Sequence, residues 1–95
     1  FDYPEPGLEA QVLVRETGLA AELAAQLIQV AQAARRLKGH GLAEGISTRL
    51  MVNAGALIRE GVAPQQACRM AMVRPITDDA DIRESLDHAI SAVLA

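Results

Sequence analysis

The sequence predicts an all-α fold, a small bundle of about five helices. Three observations carry that expectation. The chain of 95 residues is 51% hydrophobic but only 2% aromatic, so alanine and leucine, both strong helix formers, supply much of its apolar bulk. Apolar residues recur at spacings of three and four along several segments. Glycine, proline and capping residues cut the chain into helix-length pieces, and no stretch alternates as a strand would.

Pro4 and Pro6 bias residues 1–6 towards an extended start, with Pro6 also suited to the beginning of a helix. A first helix is expected over residues 7–17, with Leu8, Val12 and Leu13 on its apolar face and Gly18 as its left-handed terminator. The longest helix is expected over residues 20–38. Its stripe is Leu23, Leu27, Val30, Ala34 and Leu37, widened by Ala20, Ala24 and Ala31. Arg35, Arg36 and Lys38 suit the negative end of that helix and read as a solvated terminus. Residues 38–45 form a loop containing Gly39, Gly41 and Gly45.

Ser47 reads as the N-cap of a third helix over residues 48–60, with Leu50, Met51, Ala54, Leu57 and Ile58 facing inward and Gly61 closing it. Ile46 before the cap and Met51 after it are spaced for a hydrophobic staple. Pro64 opens a short helix over residues 64–73, with Ala67, Cys68, Ala71 and Met72 inside and Pro75 as its stop. Thr77, Asp78, Asp79 and Asp81 supply caps and early negative charge for a last helix over residues 79–94, whose inner positions are Ile82, Leu86, Ala89, Ile90 and Val93. The short connections predict that neighbouring helices pack as antiparallel pairs.

Length and charge exclude several functions. A chain of this size buries roughly 60–65% of its unfolded surface, enough for one modest core. The net charge is −3, and the cations are eight arginines and one lysine scattered along the chain. That disfavours a nucleic-acid binder working by phosphate neutralisation. No apolar run approaches the ~20 residues of a membrane span. Cys68 is the single cysteine, so a reducing compartment is the simplest context. The start, Phe1-Asp2-Tyr3-Pro4, has neither the basic stretch of a signal peptide nor an initiator methionine, as expected of a domain from the middle of a longer polypeptide.

Catalytic motifs are absent: there is no G-x-x-x-x-G-K-[ST], G-x-S-x-G, H-E-x-x-H or C-x-x-C. His40 and His88 have no companion ligands and read as surface or rim residues. Cys68, among apolar helix neighbours, reads as a small buried hydrophobe, and no metal site is expected. Asp78, Asp79 and Asp81 lack the glycine turn and distal glutamate of a calcium loop. Arg49 differs from all of these. In the first turn of its helix a cation faces the positive end of the dipole. It is either a surface charge or one arm of a phosphate site, in which helix N–H groups, dipole and guanidinium all favour one anion.

The stretch Gly45-Ile46-Ser47-Thr48-Arg49-Leu50 resembles the sensor-2 motif of the MoxR group of AAA+ ATPases. More closely, the chain is similar to the C-terminal lid of the CbbQ/NirQ/NorQ branch. The similarity also rests on Asp2-Tyr3-Pro4, on Glu16-Thr17-Gly18-Leu19, and on Gln66-Ala67-Cys68-Arg69 followed by Pro75-Ile76-Thr77-Asp78-Asp79, all in order. Many MoxR relatives carry proline where this chain has Thr48. The resemblance implies that Arg49 reaches from the lid to the phosphates of ATP, that Ser47 and Ile46 form its helix start, and that Tyr3 and Pro4 lie near the hinge and the nucleotide base. It implies a cytoplasmic protein whose ATPase core, absent from these residues, binds ATP with Mg2+. That protein would assemble as a homo-oligomeric ring, typically a hexamer. It would work with a von Willebrand factor A domain partner on Rubisco or nitric oxide reductase. The phosphate loop, Walker-B carboxylate, first sensor and arginine finger are missing, so these residues alone would have no ATPase activity. The alternative from another class is a free-standing helical interaction module that offers an Ala/Leu/Met face to a partner helix.

Overall fold

Local chemistry sets the helix ends. Thr17 is the last residue of α1 (Pro6–Thr17), because Gly18 turns left-handed at φ 74° while its N–H donates to the Val14 carbonyl at 2.9 Å. The Ala20 carbonyl accepts from Ala24, so α2 (Ala21–Arg36) begins one residue later than the apolar stripe predicts. Helix α3 (Thr48–Arg59) closes at Glu60, and Gly61 follows at φ 103°. Pro64 occupies the first position of α4 (Pro64–Cys68). Asp79 Oδ1 accepts from the N–H groups of Asp81 at 2.9 Å and Ile82 at 3.2 Å, capping α5 (Ala80–Leu94) as the aspartate cluster predicts. The computed structural model describes residues 6–36 and 46–94, and among these there is no strand. Tyr3, Pro4, Leu37 and the glycine-containing loop with His40 lie outside the described residues.

The helices close into a cycle. Helix α1 packs on α2 and α3, α2 on α5, α5 on α4, and α4 on α3. One core fills it, with Leu13, Leu27, Val30, Met51, Met72, Leu86 and Ile90 fully buried. The predicted inner faces hold for Ala24, Leu27, Val30, Ala31 and Ala34 of α2, for Met51 and Ala54 of α3, and for Ile82, Leu86 and Ile90 of α5. Side-chain amides complete the cycle: Gln26 of α2 donates to the Val93 carbonyl at 3.3 Å, and Gln65 of α4 to the Leu94 carbonyl at 3.2 Å. Both acceptors sit in the last turn of α5, whose carbonyls have no partner within the helix.

Three features depart from the sequence expectation. Sequence neighbours are not always the closest packed pairs: α2 meets α5 and α1 more extensively than it meets α3. Gly55 of α3 permits the close approach to α1, because a Cβ there would collide with Thr17. Leu8 is 54% exposed, and the inward position of that turn belongs to Glu9, four residues before the buried Leu13. Finally, the helix expected to run through to Val73 changes pitch. Residues Arg69–Val73 form a π-helical turn in which the Arg74 N–H donates to the Arg69 carbonyl at 3.1 Å, five residues back. The wider turn keeps Ala71, Met72 and Val73 all buried while Met70 stays outside.

Candidate functional site

The start of α3 is built as the sequence indicates. Ser47 has extended backbone (φ −82°, ψ 165°), and its hydroxyl accepts from the Leu50 N–H at 3.4 Å. Its carbonyl takes the Met51 N–H at 3.3 Å. Ile46 and Met51 are both fully buried on either side of the cap, the arrangement of a staple. Arg49, two positions into the helix, is exposed and has no hydrogen bond or ion pair with another described residue. The other long helices each carry an acid in the first turn, namely Glu9, Glu22 and Asp81, and α3 has none. The positive helix end and the guanidinium therefore add rather than cancel, and both favour an anion outside.

Beneath this surface lies a polar cluster that sequence reasoning missed. Arg35 is not a solvated helix end. Its guanidinium grips Glu9 with two bonds, Nη1 to Oε1 at 3.0 Å and Nη2 to Oε2 at 2.8 Å. The Glu9 side chain is fully buried and that of Arg35 is 11% exposed. Nε and Nη2 of Arg35 also donate to the Ile46 carbonyl, at 3.1 and 2.9 Å. The Thr48 hydroxyl donates to Glu9 Oε2 at 2.7 Å. Burial pushes the Glu9 carboxyl up, but hydrogen bonds from Arg35 and Thr48, together with the Arg35 charge, outweigh it and hold the group below its ordinary value. A planar fork is needed to bind a carboxylate and a carbonyl together, which suits arginine and not lysine. Arg36, one position on, is exposed as expected.

The arrangement of a capped helix start, an outward arginine and a buried clamp holding both to the bundle can be set beside known proteins. A family model described as CbbQ/NirQ/NorQ C-terminal matches residues 9–93. The chain belongs to that family. It is 52% identical over 95 residues to protein CbbQ of Hydrogenophilus thermoluteolus, covering all of this chain and 36% of that protein. It is 49% identical over 79 residues to the denitrification regulatory protein NirQ of Pseudomonas aeruginosa, covering 83% of this chain and 30% of that protein. It is 41% identical over 93 residues to protein NorQ of Paracoccus denitrificans, covering 98% and 34% respectively. The chain thus spans about a third of the length of these relatives. Membership places this CbbQ/NirQ/NorQ C-terminal domain among the MoxR-type AAA+ proteins.

Other predicted residues of the CbbQ/NirQ/NorQ domain fall away from the start of α3. Cys68 is buried, and its thiol is pushed up to about 12 by that burial, against a smaller opposing pull from the Arg69 charge. Arg69 pairs instead with Asp87 at 3.0 Å, across the π turn. His88 is exposed on α5, 4.0 Å from Glu84. Among the described residues no group of three or more His, Cys, Asp or Glu could hold a metal ion, and no helix is long and apolar enough to cross a membrane.

Proposed function

We propose that this domain is the lid of an AAA+ ATPase of the CbbQ/NorQ type, and that Arg49 is its sensor-2 arginine. In this reading the lid closes over nucleotide and brings the Arg49 guanidinium to the ATP phosphates, where charge spread over the phosphoryl oxygens is stabilised by a fixed cation. The single observation that supports it is Arg49 itself, exposed and without an ionic partner among the described residues, at the positive end of a helix whose first turn carries no acid. Ser47 and Ile46 hold that helix start. Tyr3 and Pro4 belong to the stretch joining lid to core, near the hinge and the base. ATP and its Mg2+ are held mainly by the core of the same polypeptide, so the lid alone has no ATPase activity.

The complete protein in this reading is a cytoplasmic homo-oligomeric ring, a hexamer, in which each lid passes nucleotide state to its neighbour. Its partner carries a von Willebrand factor A domain, and its client is Rubisco or nitric oxide reductase. The similarity to a protein named as a denitrification regulator supports the second client, and the higher identity to a CbbQ protein supports the first. Calorimetry of ATP and ADP binding to the full-length protein and its Arg49→Ala variant, with turnover measured in parallel, tests the reading. A selective loss of ATP affinity and of turnover is expected; equal binding and undiminished turnover would overturn it.

A further inference from the structure

We propose that Glu9 and Arg35 are positioning residues for Arg49, fixing through Ile46 and Thr48 where its guanidinium stands; this rests on the sensor-2 reading of Arg49. Among the described residues, two hydrogen bonds of the clamp join α1 to α2 and three tie them to the two residues that flank the Ser47 cap. One end is the Ile46 carbonyl, three residues before Arg49, and the other is the Thr48 hydroxyl, one residue before it. The Glu9 side chain is fully buried and that of Arg35 is 11% exposed, its guanidinium turned to Glu9 and the Ile46 carbonyl, so both act through the start of α3.

A buried ion pair is a poor way to gain stability, because taking both charges out of water costs about as much as their attraction returns. What it supplies is direction. Apolar contacts around Ile46 and Met51 hold the helix against the core but tolerate small slides and rotations. The forked guanidinium, bound to a carboxylate on one side and a backbone carbonyl on the other, does not. A misplacement of about 1 Å at a charge-stabilising group can cost on the order of a hundredfold in rate. The clamp also makes α1, α2 and the first turn of α3 one unit, so a movement of either of the first two helices carries Arg49 with it.

The test uses the full-length protein and the variants Thr48→Val, Glu9→Gln and Arg35→Lys, alone and combined with Arg49→Ala. Circular dichroism confirms folding, and calorimetry reads ATP and ADP affinity. Each single variant is expected to lower ATP affinity by about tenfold, the low end of what orienting partners contribute elsewhere, with ADP affinity unchanged. In the Arg49→Ala background the same changes should cost nothing further, which a merely structural role would not produce. If Arg49→Ala lowers ATP affinity but the three variants do not, or if their losses add in full to that of Arg49→Ala, the positioning role is overturned and the sensor-2 reading stands. If Arg49→Ala itself has no effect, both fall. Should Glu9→Gln or Arg35→Lys fail to fold, Thr48→Val decides, since it leaves the Glu9–Arg35 pair intact.

Discussion

Gly55 of α3 lies directly against Thr17 at the end of α1: a Cβ on Gly55 would stand 2.5 Å from the Thr17 methyl and 3.2 Å from Leu19 Cδ1. Thr17 cannot turn aside freely, because its hydroxyl donates to the Leu13 carbonyl and accepts from the Leu19 N–H. Gly55→Ala gains about 1 kcal/mol of helix propensity but meets an overpacking cost of roughly 1–3 kcal/mol. A net loss of about 1 kcal/mol is expected in urea unfolding. Thr17→Ser removes the methyl and keeps the hydroxyl, so Gly55→Ala in that background should cost less than half as much.

Ser47→Ala removes the acceptor for the Leu50 N–H and is expected to destabilise by about 1 kcal/mol. Ser47→Asp keeps an acceptor and adds a charge of the sign the helix end prefers. It should retain or raise stability while weakening ATP binding through repulsion of the phosphates. Paired melting and calorimetry separate the two effects.

Leu27 is fully buried at the centre of α2. Leu27→Ala should cost roughly 2–5 kcal/mol from lost transfer and the cavity left behind. A thermal melt indistinguishable from wild type would remove Leu27 from the core.

The Glu9 carboxyl ionises more readily folded than unfolded. As pH falls, the unfolded chain takes up this proton first, so the contribution of the group is present above about pH 4.3 and is lost as pH drops through the lower folded value. Stability measured by urea unfolding should therefore fall on acidification. Glu9→Gln should be less stable at neutral pH and show a flatter acid limb.

Cys68, buried and with its thiol raised to about 12, should resist a thiol reagent at pH 8 in the folded domain and react on addition of denaturant. Any stability linked to its titration is present below the unfolded thiol value near 8.5 and declines as pH rises towards 12.

Helix boundaries were legible because each depends on one or two adjacent residues: Gly18 after α1, Ser47 before α3, Pro64 opening α4, Asp79 before α5. The exposure of Arg49 follows from the same local reasoning. The clamp beneath it was not legible. Arg35 and Glu9 are 26 residues apart, and an arginine in a last helical turn is equally well explained by the helix dipole. Only packing of α1 on α2 distinguishes the two. Thr48 looked like a plain departure from the proline of many relatives, yet its hydroxyl has a specific acceptor. The π turn was hidden for another reason: Ala67, Cys68, Ala71 and Met72 face inward under either pitch, so the apolar pattern does not choose between them.

That turn bears on which sequence changes the family can absorb. Losing one residue from an ordinary helix rotates everything beyond it by about 100° and turns the buried face outward. The segment Arg69–Val73 already accommodates one residue more per turn than an α path requires. Deleting the exposed Met70 would shorten the segment to regular pitch, with the connection to Pro75 taking up the slack. Length variants among related chains are therefore expected to gather here, in the middle of a helix, and not only in loops.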